Sequence, residues 1–481
     1  MDKTNSKISI FVKAGYGIGN LGFGIVFQCI AAYMLFYTTA VLGIKGSYIG
    51  TIMAIGVFWD AITDPLMGYI SDISNFAKWG RRHLYMLAGT ILISVFNMFL
   101  WHISTAFSPA VKLGLILTFL LLLKTSLTVY GTPYTALGAE LSTDYDERTS
   151  VQSYKSVAFM FGLAFPMVAG LLIFFRPTEQ YPIGQLNPAG YSLMGTATSL
   201  LMILTGSLCI WATYKYRFNS MPDTKLQSIK KEKGGMSFIG AFKNKYFIYV
   251  FFGYLFFNVS SALIGSIGLH VFTYTFGLDN KGIALVMGTF FGISILSLPY
   301  WSVLSKKTDK KPVMLKCLKI SSIASLLFLM AVLLRIIVMK FNFILIAVIA
   351  ILGFGTGGLF LLPNSMTADT IDYEELEQGF RSEGIYYGAL TFGYKITQSA
   401  VLFIVGILLD VIGFDSSLAM QSTFTTIMLG VILAVGSLAA FGLSYFSMNK
   451  YDLNKEKIEE IQSKIMNNGK DIDTEIEKTN D

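Results

Sequence analysis

The chain has 481 residues, of which 53% are hydrophobic and 14% charged, with a formal net charge of +7. Soluble domains carry about 25% charged residues, so this composition excludes a water-soluble globular domain. Apolar runs longer than the roughly 18 residues that span a bilayer recur along the whole length, which predicts a polytopic, all-α membrane protein.

The opening "MDKTNSKISIFVKAGYGIGN" is basic and runs into a first span without a small-residue cleavage site, so no cleavable signal peptide is expected. Twelve spans are expected, at 14–42, 47–73, 84–104, 111–137, 150–176, 190–215, 246–277, 282–305, 312–339, 341–366, 383–411 and 418–447. One set of loops holds Lys78, Arg81, Arg82, Arg148, Lys306, Lys307, Lys310 and Lys311, whereas the opposite loops hold isolated basic residues. That asymmetry predicts cytoplasmic termini in a cell (plasma) membrane. Cys29, Cys209 and Cys317 fall in apolar spans and are expected to be buried thiols.

Residues 1–216 read as an N-terminal six-helix bundle, 217–245 as a Lys- and Gly-rich linker, 246–447 as a second bundle and 448–481 as a tail. The tail is expected to be solvated, although Ile458, Ile461 and Ile465 have the spacing of an amphipathic helix. The halves repeat: "PYTALGAELSTDYDERTS" follows span four and "PNSMTADTIDYEELEQGFRS" follows span ten. Two related bundles imply a cavity at the membrane midplane between them.

Asp60 and Asp64, in "WDAITDPLMGYISD", lie one helical turn apart. Each buried carboxylate costs roughly 2.5–3.5 kcal/mol on insertion scales. Two so close cannot both ionise cheaply unless they share a proton or hold a cation. Aligning Pro65 with Pro299 sets Ser294 and Leu298 against the two acids, so only one half carries the pair. Lys124 in span four is expected at the depth of Asp60, and Thr128 at that of Asp64. Lys395 in span eleven is too deep to snorkel easily and is expected to face the cavity, with Tyr387, Thr391 and Gln398 along its face. Asp144 and Arg148 in one half, and Asp372 and Arg381 in the other, are expected to form a cytoplasmic gate. No nucleotide-binding loop, metal-ligand cluster or nucleophile constellation is read, so neither enzymatic activity nor a cofactor is expected, and no nucleic-acid partner.

These motifs, with "GRRH", "MTADTIDYEELEQGFRSEGIYYGA" and Lys395, resemble the glycoside–pentoside–hexuronide:cation symporter family of the major facilitator superfamily across all twelve spans. The resemblance implies a major facilitator fold, two six-helix bundles around a central cavity, and coupled uptake of a sugar or glycoside with sodium, lithium or a proton. It implies that Asp60, Asp64 and Thr128 bind the cation and that Lys395 lies close to them. Among the melibiose-carrying members, the cavity positions matching Phe23, Gly24 and Gly131 hold charged groups that read the sugar. Tryptophans match Thr135 and Phe360, which places these two residues in the substrate site. Loss of acids at Gly24 and Gly131, with the gain of Lys124, makes the expected cavity more positive. Lys155 adds a donor for a carboxylate, which favours an anionic sugar such as a hexuronide. The resulting expectation is a monomeric, proton- or sodium-coupled symporter, with a transporter of amphiphilic lipid or a non-transporting sensor as the alternatives.

Overall fold

The computed structural model describes residues 8–74, 76–142, 145–218, 240–378, 383–416, 418 and 420–465. Among them, 12 helices are long and apolar enough to cross a membrane. They are α1 (Ile10–Val41), α2 (Gly46–Ile73), α3 (His83–Trp101), α4 (Pro109–Gly138), α5 (Ser150–Phe174) and α6 (Pro188–Tyr216) in the first half. The second half supplies α7 (Lys245–Thr275), α8 (Asn280–Thr308), α9 (Lys310–Leu333), α10 (Phe343–Gln378), α11 (Ile385–Val411) and α12 (Thr423–Asn449). The largest departure from the expected bounds is α10, which continues past 366 to Gln378. Its last turns, "TADTIDYEELEQ", contain good helix formers and no glycine, so nothing stops the helix where the apolar run ends. An even number of crossings, 12 among the described residues, would put the described segments before α1 and after α12 on one side of the membrane.

The sequence repeat is visible in the backbone. Helices α1 and α7 both finish in a π-helical turn, Tyr37–Val41 and Val271–Thr275. A left-handed glycine follows each, Gly43 at φ 69° and Gly277 at φ 62°, where a side chain would be strained. The alignment of Pro65 with Pro299 pairs these turns and glycines residue for residue.

Contacts divide the chain into two compact units. The first contains Met1–Pro222, Gly265–Gly288 and Ser399–Leu429; the second contains Asp223–Ile264, Thr289–Gln398 and Gly430–Asp481. Within the first, α1 packs on α5 and α6, α3 on α4 and α6, and α2 on α4. The buried Asn97 ties α3 to α6, donating to Thr198 Oγ1 at 2.9 Å, Ser199 Oγ at 3.0 Å and the Gly195 carbonyl at 3.2 Å. Interhelical bonds of this kind supply specificity where lipid removes the hydrophobic drive between helices.

On the side opposite the termini, the ends of α7, α8 and α11 belong to this first unit. Thr39 Oγ1 and His270 Nε2 lie 2.8 Å apart, Gln185 Nε2 donates to Thr273 Oγ1 at 3.0 Å, and Asn280 Nδ2 donates to the Leu171 carbonyl at 3.1 Å. The Asp410 carboxylate accepts the amides of Gly46 at 2.8 Å and Ser47 at 3.0 Å. It thereby caps the N-terminus of α2, whose first amides have no partner of their own.

In the second unit, α9 packs on α10, and residues 455–465 form a further short helix. This corrects the expectation of a solvated tail over that stretch. Asn454 starts the helix by accepting the Lys457 amide at 3.0 Å, and Ile458 and Ile461 are buried one turn apart. Tyr451 and Leu453 are buried ahead of them. The helix docks where Lys455 donates its amide to Asp309 Oδ2 at 3.3 Å and Gln462 Nε2 donates to Asp372 Oδ2 at 2.9 Å.

Candidate functional site

Helices α2 and α4 meet along a polar seam. Trp59 Nε1 donates to Thr125 Oγ1 at 2.8 Å, and one residue further along α2 the Lys124 ammonium lies 2.5 Å from Asp60 Oδ2. Both side chains of that ion pair are only 13% exposed. A turn on, Thr128 Oγ1 donates to Asp64 Oδ1 at 2.6 Å, with Thr63 Oγ1 at 3.5 Å from the same hydroxyl. The depth match read from sequence, Lys124 with Asp60 and Thr128 with Asp64, is the pairing found. One carboxylate is met by a cation and the other by a hydroxyl, which lowers the cost of holding both in a water-poor place.

Gly56 completes the arrangement. It lies one turn before Asp60 on the same face of α2, and a β-carbon there would come within 2.9 Å of Lys124 Cδ and Cε. The absent side chain is the slot through which the lysine stem reaches Asp60. Sequence reading passed over this glycine among 45; its spacing of four residues from Asp60 was the available signal.

A second cluster lies between α4 and α5. Lys155 Nζ donates to Thr135 Oγ1 at 3.2 Å and sits 5.5 Å from the centre of the Tyr134 ring. Gly131 faces Phe23, whose ring carbons lie 3.2 and 3.4 Å from where its β-carbon would be. Nearby, α1 and α5 border an apolar groove of about 440 Å³ lined by residues including Ile18, Leu21, Tyr154 and Phe161.

The remaining expected residues fall in the second unit. Phe360 is 43% exposed and meets Phe257 edge to face at 5.1 Å. Tyr387 donates its hydroxyl to the Asn364 carbonyl at 3.1 Å, joining α11 to α10, and Thr391 bonds back to Tyr387 within its helix. Lys395 and Gln398 are half-buried on α11. Of the expected gate, Asp144 and Arg381 lie outside the described residues, and so does the side chain of Arg148. Asp372 is held by Gln462 of the docked tail.

On the side of the termini, several described acids pair with basic residues of their own unit. Arg82, 6% exposed in its side chain, meets Asp72 at 2.7 Å and Glu140 at 2.8 Å, and Arg81 adds a bond of 3.2 Å to Glu140. Lys13 pairs with Glu147 at 3.0 Å, and in the second unit Lys310 pairs with Asp369 at 2.6 Å. The "GRRH" motif read for topology is thus also the clamp that joins the end of α2 to the end of α4.

A family model described as MFS/sugar transport protein matches residues 15–455. The chain belongs to that family. This is the assignment to which the acid pair and the loop motifs pointed: a major facilitator transporter of the glycoside–pentoside–hexuronide type. The uncharacterized symporter sll1374 of Synechocystis is 25% identical, with 85% of this chain and 87% of the relative covered. The putative sulfoquinovose importer of Escherichia coli is 24% identical, with 95% of each covered. The sodium-dependent lysophosphatidylcholine symporter 1 of Gallus gallus is 21% identical over 95% of this chain and 89% of its own. The fold is similar to that of a D-xylose-proton symporter, with a TM-score of 0.63 and 14% identity over 93% of this chain and 98% of that one. The chain is therefore a multi-pass membrane transporter of small molecules.

Proposed function

We propose that this facilitator is a symporter that takes up a sugar or glycoside by alternating access, driven through a cation site at Asp60, Asp64 and Thr128. The observation that carries the reading is the α2–α4 seam, in which two acids one turn apart are both engaged by α4 inside a membrane span. A binding site for a cation, whether proton or sodium, is the use that accounts for such a pair. Lys395, Phe360, Tyr387, Thr391 and Gln398 would contribute from α10 and α11. The carrier would work as a monomer in the plasma membrane with both termini cytoplasmic.

Lys155 favours a cargo that bears an anionic group. Its described partners are a hydroxyl and a ring face, neither of which neutralises the ammonium. The relative named as a putative sulfoquinovose importer supports a sugar with an acidic substituent. A second reading, uptake of a single-chain amphiphile, is favoured by the apolar groove between α1 and α5 and by the lysophosphatidylcholine symporter among the relatives. Uptake into proteoliposomes separates the two. Accumulation of uronic or sulfonated sugars supports the first reading, and accumulation of a lysolipid with no sugar transport replaces it with the second.

A further inference from the structure

A cation bound by Asp60 and Asp64 would have to lie against the carboxylate oxygens. Calcium, a hard cation close to sodium in size, sits roughly 2.3–2.6 Å from such oxygens. The Lys124 ammonium already stands 2.5 Å from Asp60 Oδ2, at the distance a metal ion would take. It is not a chance approach of a flexible side chain. The stem runs through the space left by Gly56, and both side chains of the pair are only 13% exposed. An ammonium and a metal ion cannot share that oxygen, because the two like charges would repel at contact distance in a medium that screens them poorly.

We propose that Lys124 is a tethered occupant of the site between α2 and α4: the native chain binds neither sodium nor lithium there, and removal of the lysine opens a sodium site. Deletion of the ammonium would free Asp60 Oδ2, one helical turn from Asp64, whose Oδ1 accepts from Thr128, with Thr63 3.5 Å from that hydroxyl. Those are the oxygen donors that a hard cation takes. The lysine is thereby the residue that determines which ion the carrier accepts. This inference rests on the proposed role of the acid pair, but it concerns ion binding alone and does not depend on what the cargo is.

The test is direct sodium binding to the purified full-length protein, read as retained ²²Na⁺ and as the shift in melting temperature when choline is replaced by sodium or lithium. The wild type is expected to give no retained sodium and no shift. Lys124→Ala and the longer, uncharged Lys124→Met are each expected to gain a saturable sodium signal, and the added change Asp60→Asn is expected to remove it. Sodium binding by the wild type that Asp60→Asn abolishes would overturn the proposal, even if both lysine variants failed to fold. Folded lysine variants that bind no sodium would overturn it equally. Failure of the proposed transport function would appear elsewhere, as absence of sugar uptake by the wild type, and would leave these outcomes readable.

Discussion

Replacing Asp410 by alanine removes the cap on the first turn of α2. The carboxylate accepts two backbone amides, from Gly46 and Ser47, and stands at the positive end of the helix. Loss of an N-cap costs about 1 kcal/mol, and hydrogen bonds to a charged group contribute about 1.5–3 kcal/mol. Asp410 is half-buried, so water would replace part of that interaction. The contact between the start of α2 and the end of α11 should therefore lose about 1–3 kcal/mol, a factor of roughly 5–150 in its local opening equilibrium. Hydrogen exchange followed by mass spectrometry on protein in lipid nanodiscs reads this directly. Peptides covering the start of α2 and the end of α11 should exchange faster by about that factor, while those of the α3–α6 interface around Asn97 should not change. Asp410→Asn, which keeps an acceptor but loses the charge, should fall between. Unchanged exchange at the start of α2 in Asp410→Ala would refute the claim that this carboxylate holds the first turn of α2 to the end of α11.

Gly56→Ala should push the Lys124 stem away from Asp60, and reduced concentrative uptake in a folded variant is the expected result; wild-type uptake would mean that the lysine has another route to the acid. Because the Lys124 ammonium stands where a metal ion would bind, a pH gradient should drive uptake in proteoliposomes and a sodium gradient should not, and strict sodium dependence would contradict this. Lys155→Gln should lower the stabilisation given by uronic or sulfonated sugars in a thermal-shift panel and leave that of matched neutral sugars unaltered; stabilisation by neutral glycosides alone in the wild type would count against an anionic cargo. Glu140→Gln leaves Arg82, 6% exposed, with a weaker partner, and should lower the stability of the first unit by about 1–3 kcal/mol, measurable as earlier loss of monodispersity on heating.

Much of the α2–α4 seam was legible because membrane helices convert sequence position into depth. Lys124 and Asp60 stand at similar distances from the same face of the bilayer, and a charge in that place needs a partner. The π-helical ends of α1 and α7 follow from the same repeat that aligns Pro65 with Pro299, although no residue pattern announced the extra turn. The cap by Asp410 was not legible, since its partners are backbone amides 363 and 364 residues away that carry no side-chain signal. The docking of residues 455–465 was missed for a different reason. Two buried isoleucines among charged residues look the same in sequence whether water or a protein surface faces them. "GRRH" was read as loop charge because its acids, Asp72 and Glu140, belong to two different helix ends and come together only in three dimensions.

Cargo movement driven through the acid pair shows itself in the difference between accumulation and exchange. The most direct measurement compares wild type with Asp64→Asn in proteoliposomes, following both uphill accumulation under an imposed cation gradient and exchange of labelled for unlabelled sugar at equal concentrations. The wild type is expected to accumulate and to exchange, whereas Asp64→Asn should keep exchange and lose accumulation. Accumulation by Asp64→Asn at the wild-type level would contradict the account.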